Sequence, residues 1–370
     1  MLSLNKKTFK KIEETEEEFR EKVKTVNSLL SLAIQQDDLI AIEKILKEEK
    51  VTIWIRSVQV AVKQGSVEIL EMMLKYGWWV DARRANGSET ALVLAIKLQK
   101  TDMVRFLVEQ GSDVNSEKSP PLRSACLVGN LLSVKLLIEF GAELKTRNNT
   151  ALHHAAQGGH LEVVQFLIEQ KGIEMEAINR QHQRPLDVAI ANNHLPVVEY
   201  LIDSGCQIEG PNIRKKLMGN IFANSDLSII KFLQSKGYSL DQHDNRQRTG
   251  LHYMANSNNL EGVQFLLNNG VNVNVVSKMG NTPLHYAASN GSLPIVQALV
   301  DYGAKIDPKN HSNITPLMWT AENGHLEVVK FLVEKGSRVQ ARTKKGQTVF
   351  DFANGHLEVL QFLEKLKISR

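Results

Sequence analysis

The chain has 370 residues, 42% hydrophobic and 23% charged, with a formal net charge of +4; that is an ordinary soluble composition, and the charge is too small to point to nucleic acid by itself. No stretch nears the roughly 18 uninterrupted apolar residues of a membrane span, and the start, Met1-Leu2-Ser3-Leu4-Asn5-Lys6-Lys7, runs into charge, which reads against a secretory signal. Two cysteines far apart, Cys126 and Cys206, exclude a disulfide framework and fit a reducing, cytoplasmic compartment.

The first predicted element is a helix within residues 1–27. Phe9, Ile12, Phe19, Val23 and Val26 form one apolar stripe on an otherwise charged segment, the pattern of an amphipathic capping helix. From residue 28 to 370 the pattern repeats. Units start near Ser28 and Arg56, and a glycine then closes each apolar run: Gly77, Gly111, Gly141, Gly172, Gly205, Gly237, Gly270, Gly303 and Gly336, at spacings of 30 to 34 residues.

A second marker recurs in register. Thr150-Ala151-Leu152-His153-His154-Ala155, Thr249-Gly250-Leu251-His252-Tyr253-Met254, Thr282-Pro283-Leu284-His285-Tyr286-Ala287 and Thr315-Pro316-Leu317-Met318-Trp319-Thr320 match one another. Weaker copies begin at Thr90, Pro120, Arg184 and Thr348, while Arg214-Lys215-Lys216-Leu217-Met218-Gly219 has lost the marker. The last unit is two residues short between Ala353 and His356, and Leu357, Leu360, Leu363 and Leu366 predict an apolar stripe on a closing helix. The total is about eleven units.

The residue types predict one unit's structure. Threonine heads a short helix because its side-chain oxygen accepts a backbone N–H at the cap, and proline next to it suits a first turn whose missing N–H is no loss. A second helix follows with apolar residues at steps of three and four, as in Leu293, Ile295, Val296, Leu299 and Val300. Glycine stops it in the left-handed region, and a polar, turn-rich finger leads to the next threonine. A single pair cannot bury its apolar face, so neighbours must stack.

A period near 33 with Thr-Pro-Leu-His-x-Ala, together with Gly324-His325-Leu326-Glu327-Val328-Val329 and Gly159-His160-Leu161-Glu162-Val163-Val164, resembles the ankyrin-repeat family over nearly the whole chain. The resemblance implies an all-α solenoid of helix pairs with extended finger loops. It also implies partners docked on the concave face made by fingers and first helices, and motif histidines that hydrogen-bond an adjacent turn.

Mapped onto that face, several positions become candidates. Most fingers run 12 residues from the closing glycine to the next cap, but those after Gly111 and Gly141 run 9, so the wall should dip there. Late first-helix positions, polar elsewhere, are apolar at Leu98, Leu127, Val128 and Phe222; they read either as a docking floor or as core after a shift in helix register. Trp78 and Trp79 sit at a finger base, offering rigid contact area or filling a gap beside Trp54. The fingers lean basic through Arg83, Arg84, Arg147, Arg180, Arg246 and Lys278 among others. That bias favours an acidic partner segment, or serves only to solvate the surface.

Catalytic patterns are missing. The sequence has no Gly-Lys-Ser/Thr phosphate loop, His-Glu-x-x-His, Gly-x-Ser-x-Gly or Cys-x-x-Cys. His153, His154 and His160 lack a cysteine or carboxylate to complete a metal set. The reading is a non-enzymatic, monomeric scaffold or adaptor that binds a protein partner and needs no cofactor. Its free-standing array resembles both host-directed effectors of intracellular bacteria and eukaryotic cytosolic adaptors. A direct enzyme inhibitor or regulatory subunit would look the same in sequence. Nucleic-acid binding is disfavoured by the near-balanced charge and sparse aromatic residues.

Overall fold

The computed structural model describes residues 6–49, 53, 55–82, 89–116, 120–144, 151–208, 221–222 and 227–368; side-chain surroundings are described for these except 6–20, 48–49 and 367–368. The described residues are all-α, with one isolated bridge between His243 and Thr249. The chain divides into two compact units, Met1–Gln181 and His182–Arg370.

The first unit holds α1 (Lys6–Gln35), α2 (Leu39–Glu49), α3 (Ile55–Gln64), α4 (Val67–Lys75), α5 (Ala91–Lys97), α6 (Thr101–Glu109), α7 (Pro121–Val128), α8 (Leu131–Glu139), α9 (Ala151–Gly158) and α10 (Leu161–Lys171). Odd-numbered helices stack on one another in one row and even-numbered helices in a second, and each odd helix also packs on the even helix after it. The apolar stripes explain this. Leu92, Ala95 and Ile96 of α5 and Val104 and Leu107 of α6 are buried between neighbours. At ~1.5–3 kcal/mol per buried aliphatic side chain, only this stacking offsets the entropy of ordering such short helices.

No break separates the expected capping helix from the first repeat. α1 runs unbroken through residues 27 and 28, because nothing in Val26-Asn27-Ser28-Leu29 stops a helix. Val23, Val26, Leu30 and Ile34 of this one helix are buried.

The second unit holds α11 (Pro185–Ala191), α12 (Leu195–Asp203), α13 (Leu227–Ser235), α14 (Gly250–Asn256), α15 (Leu260–Asn268), α16 (Pro283–Ser289), α17 (Leu293–Asp301), α18 (Pro316–Glu322), α19 (Leu326–Glu334), α20 (Val349–Phe352) and α21 (Leu357–Ile368). The same two rows form: α14, α16, α18 and α20 in one, and α15, α17, α19 and α21 in the other. α20 has four residues, the structural counterpart of the shortened last unit. In α21 the buried residues are Val359 and Leu363, whereas Leu357 is 67% exposed, so the expected leucine stripe is shifted toward Val359.

Candidate protein-docking face

Fingers end at the caps. Thr282 presents an extended backbone, φ −96° and ψ 166°, ahead of α16. Its N–H donates to His285 Nδ1 at 3.0 Å, and His285 Nε2 lies 3.1 Å from the Ile314 carbonyl in the next finger. Since a carbonyl only accepts, Nε2 carries the proton and Nδ1 is the acceptor. His252 repeats this with Thr249 N–H and the Asn281 carbonyl, at 3.1 and 3.0 Å. Burial pushes both imidazoles down to about 4. Their neighbouring rings also touch, His252 edge-on to Tyr286 and His285 edge-on to Trp319.

A second histidine series ties the other end of the first helices. His160 Nε2 lies 3.0 Å from the Leu127 carbonyl, His325 Nε2 3.0 Å from that of Ser289, and His356 Nε2 2.9 Å from that of Glu322. Each bond reaches back to the preceding helix pair. These five histidines therefore join repeats, and among the described residues no group of three His, Cys, Asp or Glu side chains gathers to hold a metal ion.

Buried polar side chains shape the finger turns. Asp244, 5% exposed, accepts from Arg246 N–H and Arg248 N–H at 2.8 Å each, from Arg248 Nε at 2.9 Å and from the Tyr253 hydroxyl at 2.8 Å. Burial works to raise its pKa, but the bonds from Arg248 and Tyr253 outweigh it and hold the carboxyl below the usual range. Asn310 takes the same place two fingers on, accepting from Ser312 N–H and Ile314 N–H.

The candidate residues separate on this frame. Arg180, Arg246 and Lys278 are exposed finger residues. Trp79 is 69% exposed, Leu98 41% and Leu127 37%, and Val128, the last residue of α7, is half-buried. Trp78 and Phe222 are not surface residues. Trp78 is 5% exposed, with an indole N–H that has no hydrogen-bond partner. Phe222 is 1% exposed and lies against Gly250, where any Cβ would collide with its ring. The core reading therefore holds for these two; Gly250 replaces the proline of other units because Phe222 occupies that space. Arg83, Arg84 and Arg147 lie outside the described residues, as does most of the shortened finger after Gly141.

The basic bias also needs correction. Asp113, Glu143, Glu174 and Glu176 are exposed in fingers of the first unit, which offsets its cations. The signal that sequence reading missed is positional: in the second unit Arg246, Lys278, Lys344 and Lys345 sit at the turn tips, while Arg248, Lys305, Lys309, Arg338 and Arg342 lie elsewhere in the fingers.

The model of the family described as ankyrin repeats (3 copies) matches residues 30–118, 122–212, 217–310 and 306–369. These matches cover most of the sequence, and the chain belongs to the ankyrin-repeat family. No curated protein matches it at a significant level. Ankyrin repeats are generally protein-interaction modules, and no described helix is long and apolar enough to cross a membrane.

Proposed function

We propose that this protein is a non-catalytic scaffold or adaptor that docks a protein partner on the face made by first-helix ends and fingers. The observation that carries this reading is a division of labour among side chains. His160, His252, His285 and His325 are bonded between repeats, while large apolar side chains at the helix ends and finger bases stand in solvent. Trp79, Leu98 and Leu127 supply apolar contact area, of the kind that anchors interfaces. Those three side chains lie in the first unit, with Arg180; in the second unit Arg246 and Lys278 supply charge that would favour an acidic partner segment and speed encounter.

Affinity capture from cell lysate tests the reading, with the parent chain compared against Trp79→Ala and Leu127→Asp. The expected result is a partner retained by the parent and lost by both variants. Retention of every partner by both variants would remove these residues from the interface. A parent chain that retains nothing would count against the scaffold reading itself.

A further inference from the structure

Among the described residues, four turns end fingers of the second unit. Each closes with a backbone bond from its fourth residue to its first: Gln247 to Asp244, Gly280 to Ser277, Asn313 to Asn310 and Gly346 to Thr343, at 2.8–2.9 Å. The fourth residue has positive φ every time, from 56° at Gln247 to 80° at Gly346. The turns are also bonded to one another. Lys278 N–H reaches the Arg246 carbonyl at 2.6 Å, His311 N–H that of Met279 at 3.0 Å, and Lys344 N–H that of Ser312 at 3.0 Å. The tips therefore form one row whose spacing is fixed by the backbone.

The central residues of these turns are Asn245-Arg246, Lys278-Met279, His311-Ser312 and Lys344-Lys345, and all are exposed. None is a carboxylate. The only acid within the four turns, Asp244, is buried against its own turn, Arg248 and Tyr253. Among the described residues, no salt bridge engages Arg246, Lys278, Lys344 or Lys345. Val276 and Met279, 57% and 62% exposed, add apolar surface beside the charges.

From this we propose that the tip row binds an extended acidic segment of a protein partner, with a carboxylate at about every third residue. The proposal rests on the protein-binding reading above and deepens it. The spacing follows from packing. Neighbouring helices stack ~8–10 Å apart, so the tips advance by the same step. An extended chain of the polyproline II kind rises ~3.1 Å per residue with about three residues per turn, so every third side chain faces the row and three residues span one tip. Four tips thus take a segment of roughly ten residues. A nucleic-acid strand has the right charge, but single-strand binders present aromatic rings for base stacking, and the only ring among these eight central residues is the His311 imidazole.

Fluorescence anisotropy on the full chain tests this with two labelled decapeptides of identical composition. One carries glutamate at positions 1, 4, 7 and 10, and the other carries four glutamates in a block. The expected result is that the spaced peptide binds about fivefold or more tighter than the block. Lys278→Glu combined with Lys344→Glu should weaken it about tenfold or more at ~0.15 M salt, while Lys335→Glu, at the C-cap of α19 and outside the tip row, leaves it unchanged. Thermal melts confirm that each variant is folded. Equal binding of the two peptides, no binding of either, or tighter binding of a labelled single-stranded oligonucleotide would each overturn the proposal. Should the double variant still capture a partner that Leu127→Asp loses, the scaffold reading stands and the tip row alone is wrong.

Discussion

Lys278 donates its backbone N–H to the carbonyl of Arg246 across 2.6 Å, so the tips of two successive fingers are held by their main chains while both cationic side chains remain exposed. This bond has a local consequence. Lys278 sits on an exposed tip where amide exchange should be fast, yet its N–H is engaged. Hydrogen exchange followed by NMR should show the Lys278, His311 and Lys344 amides protected at least about tenfold relative to Met279, whose N–H has no comparable backbone bond. Equal exchange at Lys278 and Met279 would mean the tip row opens freely in solution.

Acid should loosen the second unit. His252 and His285 titrate near 4 when folded, against 6.5 in the unfolded chain, because burial disfavours the charged ring. Between those values the unfolded chain binds more protons, so stability rises with pH across about 4 to 6.5 and is lost as pH falls through that window. Each imidazole contributes up to about 3 kcal/mol, since every tenfold loss of proton affinity on folding corresponds to ~1.4 kcal/mol. Urea midpoints at pH 7.5 and 5 should differ clearly in the parent. The difference should shrink by about a third in His285→Gln, which removes one of three rings that burial pushes down to about 4, His154 in the first unit being the other besides His252.

Asp244 should be less replaceable than any other finger acid. It accepts bonds from Arg246, Arg248 and Tyr253 and is buried. Asp244→Ala leaves those donors without their acceptor and should cost about 2–4 kcal/mol in urea unfolding. Tyr253→Phe removes only one bond and should cost about 1 kcal/mol. The phenol, pushed up to about 12 by burial and by Asp244, should show no ionisation by ultraviolet absorbance below pH 10. Asp241→Ala, at an exposed site, should be neutral within about 0.5 kcal/mol.

The thiol of Cys126 is fully buried and pushed up to about 12, so the native chain should react with a thiol reagent only as fast as it unfolds. Cys206 is also buried. Reaction of the native chain should therefore be slower than that of the urea-unfolded chain by about a hundredfold or more. Rapid labelling at Cys126 would indicate frequent opening between α5, α7 and α9.

How legible this was from sequence depended on range. Thr282, Pro283 and His285 announce a capped helix because cap chemistry is settled within four residues, and Gly303 and Gly336 mark helix ends for the same local reason. Position inside the repeat could be read, but not which way a side chain faced. Trp78 and Trp79 are adjacent and chemically identical, yet one is 5% exposed and the other 69%. Phe222 could be read either as docking floor or as core, because the contact with Gly250 that settles it comes from the next repeat. The tip row was hidden for a related reason. Its residues lie about a repeat apart, and only backbone bonds between fingers show that Arg246, Lys278 and Lys344 form one edge.

Glycine at position 129 is required for two separable reasons, and a double-mutant cycle can part them. Gly129 has φ +80°, the left-handed region, and caps α7; a Cβ there would also collide with the ring of His160, whose Nε2 bonds the Leu127 carbonyl. Gly141 shares the conformation, at φ +86°, but a Cβ there meets nothing within 4 Å. Gly141→Ala should therefore cost only the backbone penalty of about 1 kcal/mol. Gly129→Ala should cost at least about 1 kcal/mol more, from the steric conflict and the loosened His160 bond. Pairing Gly129→Ala with His160→Ala relieves the conflict, so the double variant should be more stable than the sum of the single losses. Strict additivity would mean the two side chains never compete for that space.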